Sequence, residues 1–205
     1  MRSMKIGDQA FFYHSNTKPP GIVGLMEIIE TNLIDPFQFD ESSKYFDKKS
    51  KREINYWLMK SEPDAYSIKD LEKEEETLWD GIRNYQARNF MRSMEIGDQA
   101  FFYHSNTKPP GIVGLMEIIE KNLIDPFQFD ESSKYFDKKS KIDNPRWDCV
   151  KTKYICEFKS MITLKELSET YTSEELTLVR KGNRLSIMPI NKDIALELLI
   201  KLKKN

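Results

Sequence analysis

The chain has 205 residues, 32 basic and 33 acidic side chains and a formal net charge of −1. No overall positive field draws it to nucleic acid, so any such attraction must come from a local patch. Hydrophobic residues make up 39% and aromatics 12%, which suits a packed core and excludes a disordered chain. No run of about 18 apolar residues is present, so a membrane span is not expected. The opening MRSMKIGDQ also lacks the apolar stretch of a signal peptide.

The first element met along the chain is a repeat. Residues 1–51 recur as residues 91–141, differing only at Lys5/Glu95 and Thr31/Lys121. The segment between the copies occurs once, and so does everything after Ile142. The spacing is too long for a solenoid and the copied piece is not a whole unit. Residues 1–54 therefore read as an incomplete duplicate placed before a single domain, 55–205, whose 151 residues are close to the common domain size. The duplicate holds two apolar strands but lacks their neighbours, so it should form no pocket of its own. Copy two is tethered to its native neighbour Phe90, so a monomer is expected. Exchange of 1–51 for 91–141 between chains, giving a swapped dimer, is the alternative.

In the single domain, Tyr56-Trp57-Leu58-Met59-Lys60 reads as a first strand ended by Ser61-Glu62-Pro63. Ser67 and Asp70 resemble a capping box opening a short helix that the acidic run Glu74-Glu75-Glu76 closes. A second helix is expected over 84–94, with Phe90 and Met94 on one face. Gly97-Asp98 turns the chain into a strand at 99–105, and Pro109-Pro110-Gly111 turns it into another at 112–120. Gly111 and Gly114 lie in that strand pattern and mark a bulge or a close backbone approach. Residues 125–143 are polar and turn-rich and read as a long surface loop with a binding or lid role. The alternation from Val150 to Lys159 predicts a half-buried strand. Thr163 with Glu166 caps a helix, and Ser173 with Glu174 and Glu175 is expected to start another, stopped at Gly182. A strand at 184–190 and a final helix capped by Asn191 complete the chain, with Ile194, Ala195, Leu198, Leu199 and Leu202 as the apolar stripe of that helix. Mixed strands and helices without a strict βαβ rhythm indicate an α+β arrangement.

The chemistry-bearing residues exclude several classes. Only two histidines and two cysteines occur, and they make no zinc cluster. Cys149 and Cys156 fall in one strand on opposite faces, roughly 23 Å apart, too far for a disulfide. A reduced, cytoplasmic protein follows. No glycine-rich phosphate loop is present. His104 and Ser105 are neighbours on a strand and point to opposite faces, a poor arrangement for a catalytic pair; a histidine hydrogen-bonded at a sheet end is the simpler reading. Trp57, Trp79 and Trp147 each lie beside polar groups: Lys60-Ser61-Glu62, Asp80-Gly81, and Arg146 with Asp148. Core packing accounts for any one of them, but rings flanked by amide, hydroxyl and guanidinium groups are also what an extruded base needs. Asn84, Tyr85, Gln86, Arg88 and Asn89 add a dense polar cluster. Arg83, Arg88 and Arg92 have no acid between them, giving either a local basic patch or a solvated helix face.

The segments NYWLMKSEPDAYSI (55–68), WDGIRNYQARNFMRSM (79–94), GDQAFFYHSN (97–106), PPGIVGLMEI (109–118), NPRWDCV (144–150) and GNRLSI (182–187) together resemble the EVE domain family, a branch of the PUA-like superfamily related to YTH domains. They occur in the family's order and cover nearly the whole of 55–205. The resemblance implies a PUA-like fold, a curved mixed sheet or pseudo-barrel flanked by helices. It implies a non-catalytic module, without cofactor or metal, that flips a modified cytosine or methylated adenine of DNA or RNA into a partly aromatic pocket. Placed on this chain, Trp57, Trp79, Tyr103 and Trp147 are the expected walls, and Tyr85 joins the base-binding set. Ser61, Asp80, Asn84, His104, Ser105 and Arg184 are the expected edge readers, while Lys60, Arg83 and Arg88 are expected to hold phosphate. Stacking contributes roughly 1–3 kcal/mol per base, and one buried methylene about 0.8 kcal/mol, so discrimination of modification near tenfold is expected. Two alternatives stand: a hydrolase acting on a modified nucleoside through Lys60 and Glu62, and a protein-interaction adaptor using the 125–143 loop.

Overall fold

A computed structural model describes residues 7–14, 18–19, 21–28 and 53–204. The chain divides into two units, Met1–Glu53 and Ile54–Asn205. In the first unit, β1 (Gln9–His14) and β2 (Gly21–Glu27) form an antiparallel hairpin with a register shift between Phe12 and Tyr13. Among its described side chains, Phe11 is 69% exposed and Ile22 62%.

The second unit runs β3 (Tyr56–Ser61), α1 (Ile68–Glu74), β4 (Glu76–Trp79), α2 (Tyr85–Ser93), β5 (Gln99–His104), β6 (Gly111–Ile124), β7 (Asp148–Thr163), α3 (Leu164–Thr170), β8 (Ile187–Ile190) and α4 (Lys192–Lys204). Single 3-10 turns lie at Pro126–Gln128 and Thr177–Val179. Six strands form one mixed sheet in the order β4-β7-β6-β5-β3-β8. Only β3 and β5 run parallel; every other neighbouring pair is antiparallel. The fold is α+β and PUA-like, as the motifs implied.

Why β3 and β5 carry unbroken apolar runs, 56–59 and 100–103, becomes plain here. Side chains alternate between sheet faces, and both faces are covered. Tyr56, Leu58, Phe101 and Tyr103 enter one core with α3 and α4 residues such as Leu167, Ala195, Leu198 and Leu202. Trp57, Met59, Ala100 and Phe102 enter a second core with Ile68 and Leu71 of α1 and Ala87 and Met91 of α2. The residues whose counterparts are exposed in the hairpin of the first unit are fully buried here: Phe101 and Ile112 are both 0% exposed. The register is the same in the two copies, Gln9 opposite Glu27 and Gln99 opposite Glu117. Local sequence sets the hairpin; what differs between the units is whether its faces are covered.

Both capping boxes form. Ser67 and Asp70 exchange hydrogen bonds at the start of α1, and Thr163 and Glu166 do so at α3. Asn84 caps α2 by accepting from the Ala87 N–H; Ala87, Met91 and Met94 are buried, and Phe90, partly buried, packs against the same core. Asn191 accepts from the Asp193 N–H before α4. At Gly114 an added Cβ would lie 2.6 Å from Ile68 Cδ1 and 2.7 Å from the Cys156 carbonyl oxygen, and the β6–β7 register shifts beside it. The glycine thus serves a bulge and a close approach at once.

Two expectations are corrected. No helix starts at Ser173. Instead the Thr172 hydroxyl and N–H bond Glu175, and only the Thr177–Val179 turn follows. The strand expected at 184–190 begins at Ile187, because Asn183 accepts from the Leu185 N–H and holds a turn there. Residues 125–143 are irregular and largely exposed, with one 3-10 turn, as expected of a surface loop, and are pinned from within. Gln128 is buried; its amide donates to the Asp125 and Trp147 carbonyls and accepts from the Arg146 and Trp147 N–H groups. Strand β4 lies outside every sequence-based expectation and pairs antiparallel with β7 through Trp79 opposite Val150.

Candidate functional site

A cleft of about 1070 Å³ opens beside the ends of β3, β4 and β5. Its position follows from the chain. β3 and β5 run parallel and deliver Lys60, Ser61, Glu62, Ser105 and Asn106 to one rim. β4 delivers Trp79, Asp80 and Gly81; the turn before β8 delivers Asn183, Arg184 and Ser186; and the 126–143 segment supplies Phe127, Ser133, Lys134 and Tyr135. Tyr66 completes the aromatic lining.

That last wall is pinned by one buried carboxylate. Asp125, fully buried, accepts from the Gly81 N–H at 2.9 Å and pairs with Arg83 at 2.7 Å. Arg83 also donates from Nε to the Tyr135 carbonyl at 2.6 Å and from Nη1 to the Ile82 carbonyl at 2.9 Å. Gly81 sits at φ +72°, and a Cβ there would meet the Tyr135 ring at 2.7 Å. Glycine is needed twice over, for the left-handed backbone and for the ring.

Taking away the polar groups that the protein already uses leaves few free. Ser61 donates to the Tyr66 carbonyl, Ser105 to the Ser61 carbonyl, Asn106 to Glu62, and Asn183 to the Thr177 carbonyl. Asp80 and Lys60 have no hydrogen-bonded or ionic partner among the described residues. Burial, helped by the nearby Asp125 charge and opposed by Arg83, pushes the Asp80 carboxyl up to about 6. Burial lowers Lys60 from the ordinary lysine range, and its ammonium lies 5.8 Å from the centre of the Tyr103 ring. Two desolvated ionisable groups without internal partners face one cleft, the pattern expected where a ligand completes the pairing.

Of the residues expected from sequence, Lys60, Ser61, Trp79, Asp80, Arg83, Ser105 and Arg184 line the cleft. The others are placed elsewhere. Trp57 is buried and its indole N–H donates to Asp98 at 3.0 Å. Trp147 donates to Asp137 at 2.7 Å and stacks on Tyr85 with ring centres 4.8 Å apart. Tyr103 is a core side chain. Asn84 is engaged as the α2 cap. His104 Nε2 accepts the Ile68 N–H at 3.2 Å, which fixes an unprotonated nitrogen at the first turn of α1, and burial lowers its pKa. This is the hydrogen-bonded sheet-end histidine anticipated above. Arg88 donates to the Arg146 carbonyl and to Asn89. Arg83 lines the cleft; its Nε and Nη1 bond Tyr135, Ile82 and Asp125, while its Nη2 is buried with no hydrogen-bond partner among the described residues. Sequence reasoning missed Tyr66, Phe127, Lys134 and Tyr135. The aromatic pair Tyr135-Phe136 in the otherwise polar run ESSKYFDKKS was the available signal for Tyr135.

Among the described residues no group of three or more His, Cys, Asp or Glu side chains could hold a metal ion. Both cysteines are free thiols. No helix among the described residues is long and apolar enough to cross a membrane.

The EVE domain family model matches residues 1–54 and again 55–201. The chain belongs to the EVE domain family. Thymocyte nuclear protein 1 of Mus musculus is 40% identical over 171 residues, covering 75% of this chain and 76% of that protein. Among solved structures, a Pseudomonas syringae protein superposes with a TM-score of 0.69 at 42% identity, covering 71% of this chain and 98% of its own. The human THYN1 protein, solved in complex with DNA containing 5-methylcytosine, superposes with a TM-score of 0.65 at 40% identity, covering 70% and 96%. This EVE chain is therefore similar over 70% of its length to a protein whose crystal structure holds modified DNA.

Proposed function

We propose that residues 55–205 read a modified base in DNA or RNA, with the cleft between β4, the β3 and β5 ends and the 126–143 segment receiving the flipped base. The observation that carries this reading is the pair of half-buried, unpartnered groups, Asp80 and Lys60, in an aromatic-lined cleft. A base supplies hydrogen-bonding edge atoms for the carboxyl, and its phosphate supplies the anion for Lys60, with Arg184 as second cation. Tyr135 and Phe127 offer apolar surface to the ring, and Trp79, 6% exposed and otherwise part of the core, adds a small part of its own; stacking is worth roughly 1–3 kcal/mol per base. Ser61 and Ser105 add hydroxyls at the rim. The human relative's complex with 5-methylcytosine DNA supports the ligand class.

Residues 1–54 contribute no second cleft in this reading, since the hairpin of the first unit carries none of the β3, β4 or β8 residues that build the rim. The free thiols fit a reducing compartment such as the cytoplasm. The test is fluorescence anisotropy with labelled oligonucleotides at fixed low salt, comparing 5-methylcytosine with cytosine in one sequence. The reading expects a preference of about fourfold to tenfold for the modified strand, and a weaker, less salt-dependent complex for Lys60→Ala. Equal affinity for both strands would overturn it.

One observation favours a second reading. Lys60, its pKa lowered by burial, lines the cleft with Glu62, and a nucleoside-cleaving enzyme would use such a pair. Release of free base from a modified nucleoside, abolished by Lys60→Ala, would replace the reader with an enzyme.

A further inference from the structure

Asp80 follows the last residue of β4 and precedes Gly81, whose N–H is held by Asp125. Its backbone is thus fixed while its side chain lines the cleft without a partner among the described residues. The groups around it are Asp125 and Arg83 beside it, the Cys149 thiol on β7, and Lys60, Glu62, Tyr66, Lys134 and Arg184 on the remaining cleft walls. None of them forms a hydrogen bond or ion pair with the Asp80 carboxyl.

We infer that the Asp80 carboxyl reads the adjoining exocyclic amine and basic ring nitrogen of an amino-bearing base, selecting cytosine and adenine types over thymine and uracil types. This rests on the reading of the cleft as a base site and says which edge the cleft accepts. A neutral carboxyl carries one donor and one acceptor side by side. Cytosine presents an amine N–H and a ring-nitrogen acceptor side by side, and adenine does the same at N6 and N1. The two edges close a pair of parallel hydrogen bonds, and the proton between oxygen and ring nitrogen gives one of them charge-assisted character. Thymine and uracil offer a carbonyl and a ring N–H, with no basic nitrogen to share that proton. Guanine offers two donors side by side and suits an ionised carboxylate instead.

The site is already biased toward the neutral form, since burial and Asp125 hold Asp80 near 6, and a ring filling the cleft removes more water. Above that pH, binding of a cytosine-type base takes up one proton from solvent, which finishes between the Asp80 oxygen and the ring nitrogen. The Cys149 thiol and the Tyr66 hydroxyl, both pushed up to about 12 by burial, take no part over neutral pH.

The test uses the full chain and strands that differ at one position. 5-Methylcytosine and thymine share the ring and the methyl group and differ only in the edge in question. Adenine against hypoxanthine repeats the comparison for a purine, and guanine is the opposing arm. The expected result is roughly tenfold tighter binding of 5-methylcytosine than thymine at pH 6. That affinity should weaken by up to about tenfold per pH unit above 6.5. Asp80→Asn keeps a donor and an acceptor, so it should still bind 5-methylcytosine but lose the pH dependence; Asp80→Ala should lose the preference. Thermal melts establish that both variants fold. If oligonucleotides bind with sensitivity to modification but thymine matches 5-methylcytosine, or Asp80→Asn keeps the wild-type pH profile, the edge assignment is wrong and the reader stands. Guanine binding best, and more tightly as pH rises, would also overturn it. If no strand binds at any pH, the base-site reading itself fails.

Discussion

Replacing Gly81 with alanine probes how the cleft wall is built. The backbone at Gly81 has φ +72°, and an added Cβ would lie 2.7 Å from two Tyr135 ring atoms. Holding an L-residue in the left-handed region costs about 1–2 kcal/mol. The contact is with the far end of the Tyr135 ring, which lies 5.5 Å from the Arg83 guanidinium, so relieving it means turning the ring out of that cation–π contact. Such a contact contributes about 0.5–2 kcal/mol. Gly81→Ala should therefore destabilise the protein by about 2–4 kcal/mol, lowering Tm by roughly 5–15 °C for a unit of this size. A double-mutant cycle separates the two terms. In a Tyr135→Ala background the steric part vanishes, and Gly81→Ala should cost only the conformational 1–2 kcal/mol. Thermal and urea unfolding of the four proteins measure the cycle. Equal cost in both backgrounds would refute the claim that Tyr135 packs on Gly81 to form the wall.

Three further outcomes follow. Asp98, fully buried, accepts from the Trp57 indole, the Glu95 N–H and the Asn55 N–H; Asp98→Ala strands these donors and should cost about 3–5 kcal/mol in urea unfolding. Asp80 has a folded pKa raised from 3.8 to about 6, so its stabilising neutral form is fully present below 3.8 and is lost as pH rises through 6. The free protein should accordingly gain stability from Asp80→Asn at pH 7.5 but not at pH 3.5, as Tm against pH would show; exposure to solvent keeps the gain to about 1 kcal/mol. Deleting residues 1–54 should leave the affinity of 55–205 for 5-methylcytosine DNA unchanged and its Tm within about 3 °C, read by anisotropy and calorimetry.

Much of the fold could be read from local signals. The capping boxes at Ser67/Asp70 and Thr163/Glu166 each span four consecutive residues, and the apolar runs at 56–59 and 100–103 announce strands. Strand β4 escaped because it is a four-residue edge strand following an acidic run, defined by its pairing with β7 some 75 residues away. The candidate site divides in the same way. Asp80 and Trp79 lie in a polar-flanked motif, and both reach the cleft. Trp57, Trp147 and His104 carry the same residue chemistry, yet each meets a partner that sequence does not place beside it: Asp98, Asp137 and the first N–H of α1. A tryptophan beside polar residues can serve a base or a buried acid, and long-range contacts decide which. Tyr135 joins the cleft only because Arg83, 52 residues earlier, holds its carbonyl.

The three tryptophans make the central claim measurable. Trp57 and Trp147 donate their indole protons to Asp98 and Asp137, whereas Trp79 lines the cleft. An indole-selective ¹⁵N–¹H NMR titration of the full chain with a short 5-methylcytosine strand, assigned by Trp→Phe variants, reports each ring separately. If the cleft receives the base, the Trp79 signal shifts with saturation while Trp57 holds still. A saturable shift at Trp57 or Trp147 with Trp79 unmoved would place the ligand elsewhere and contradict the account.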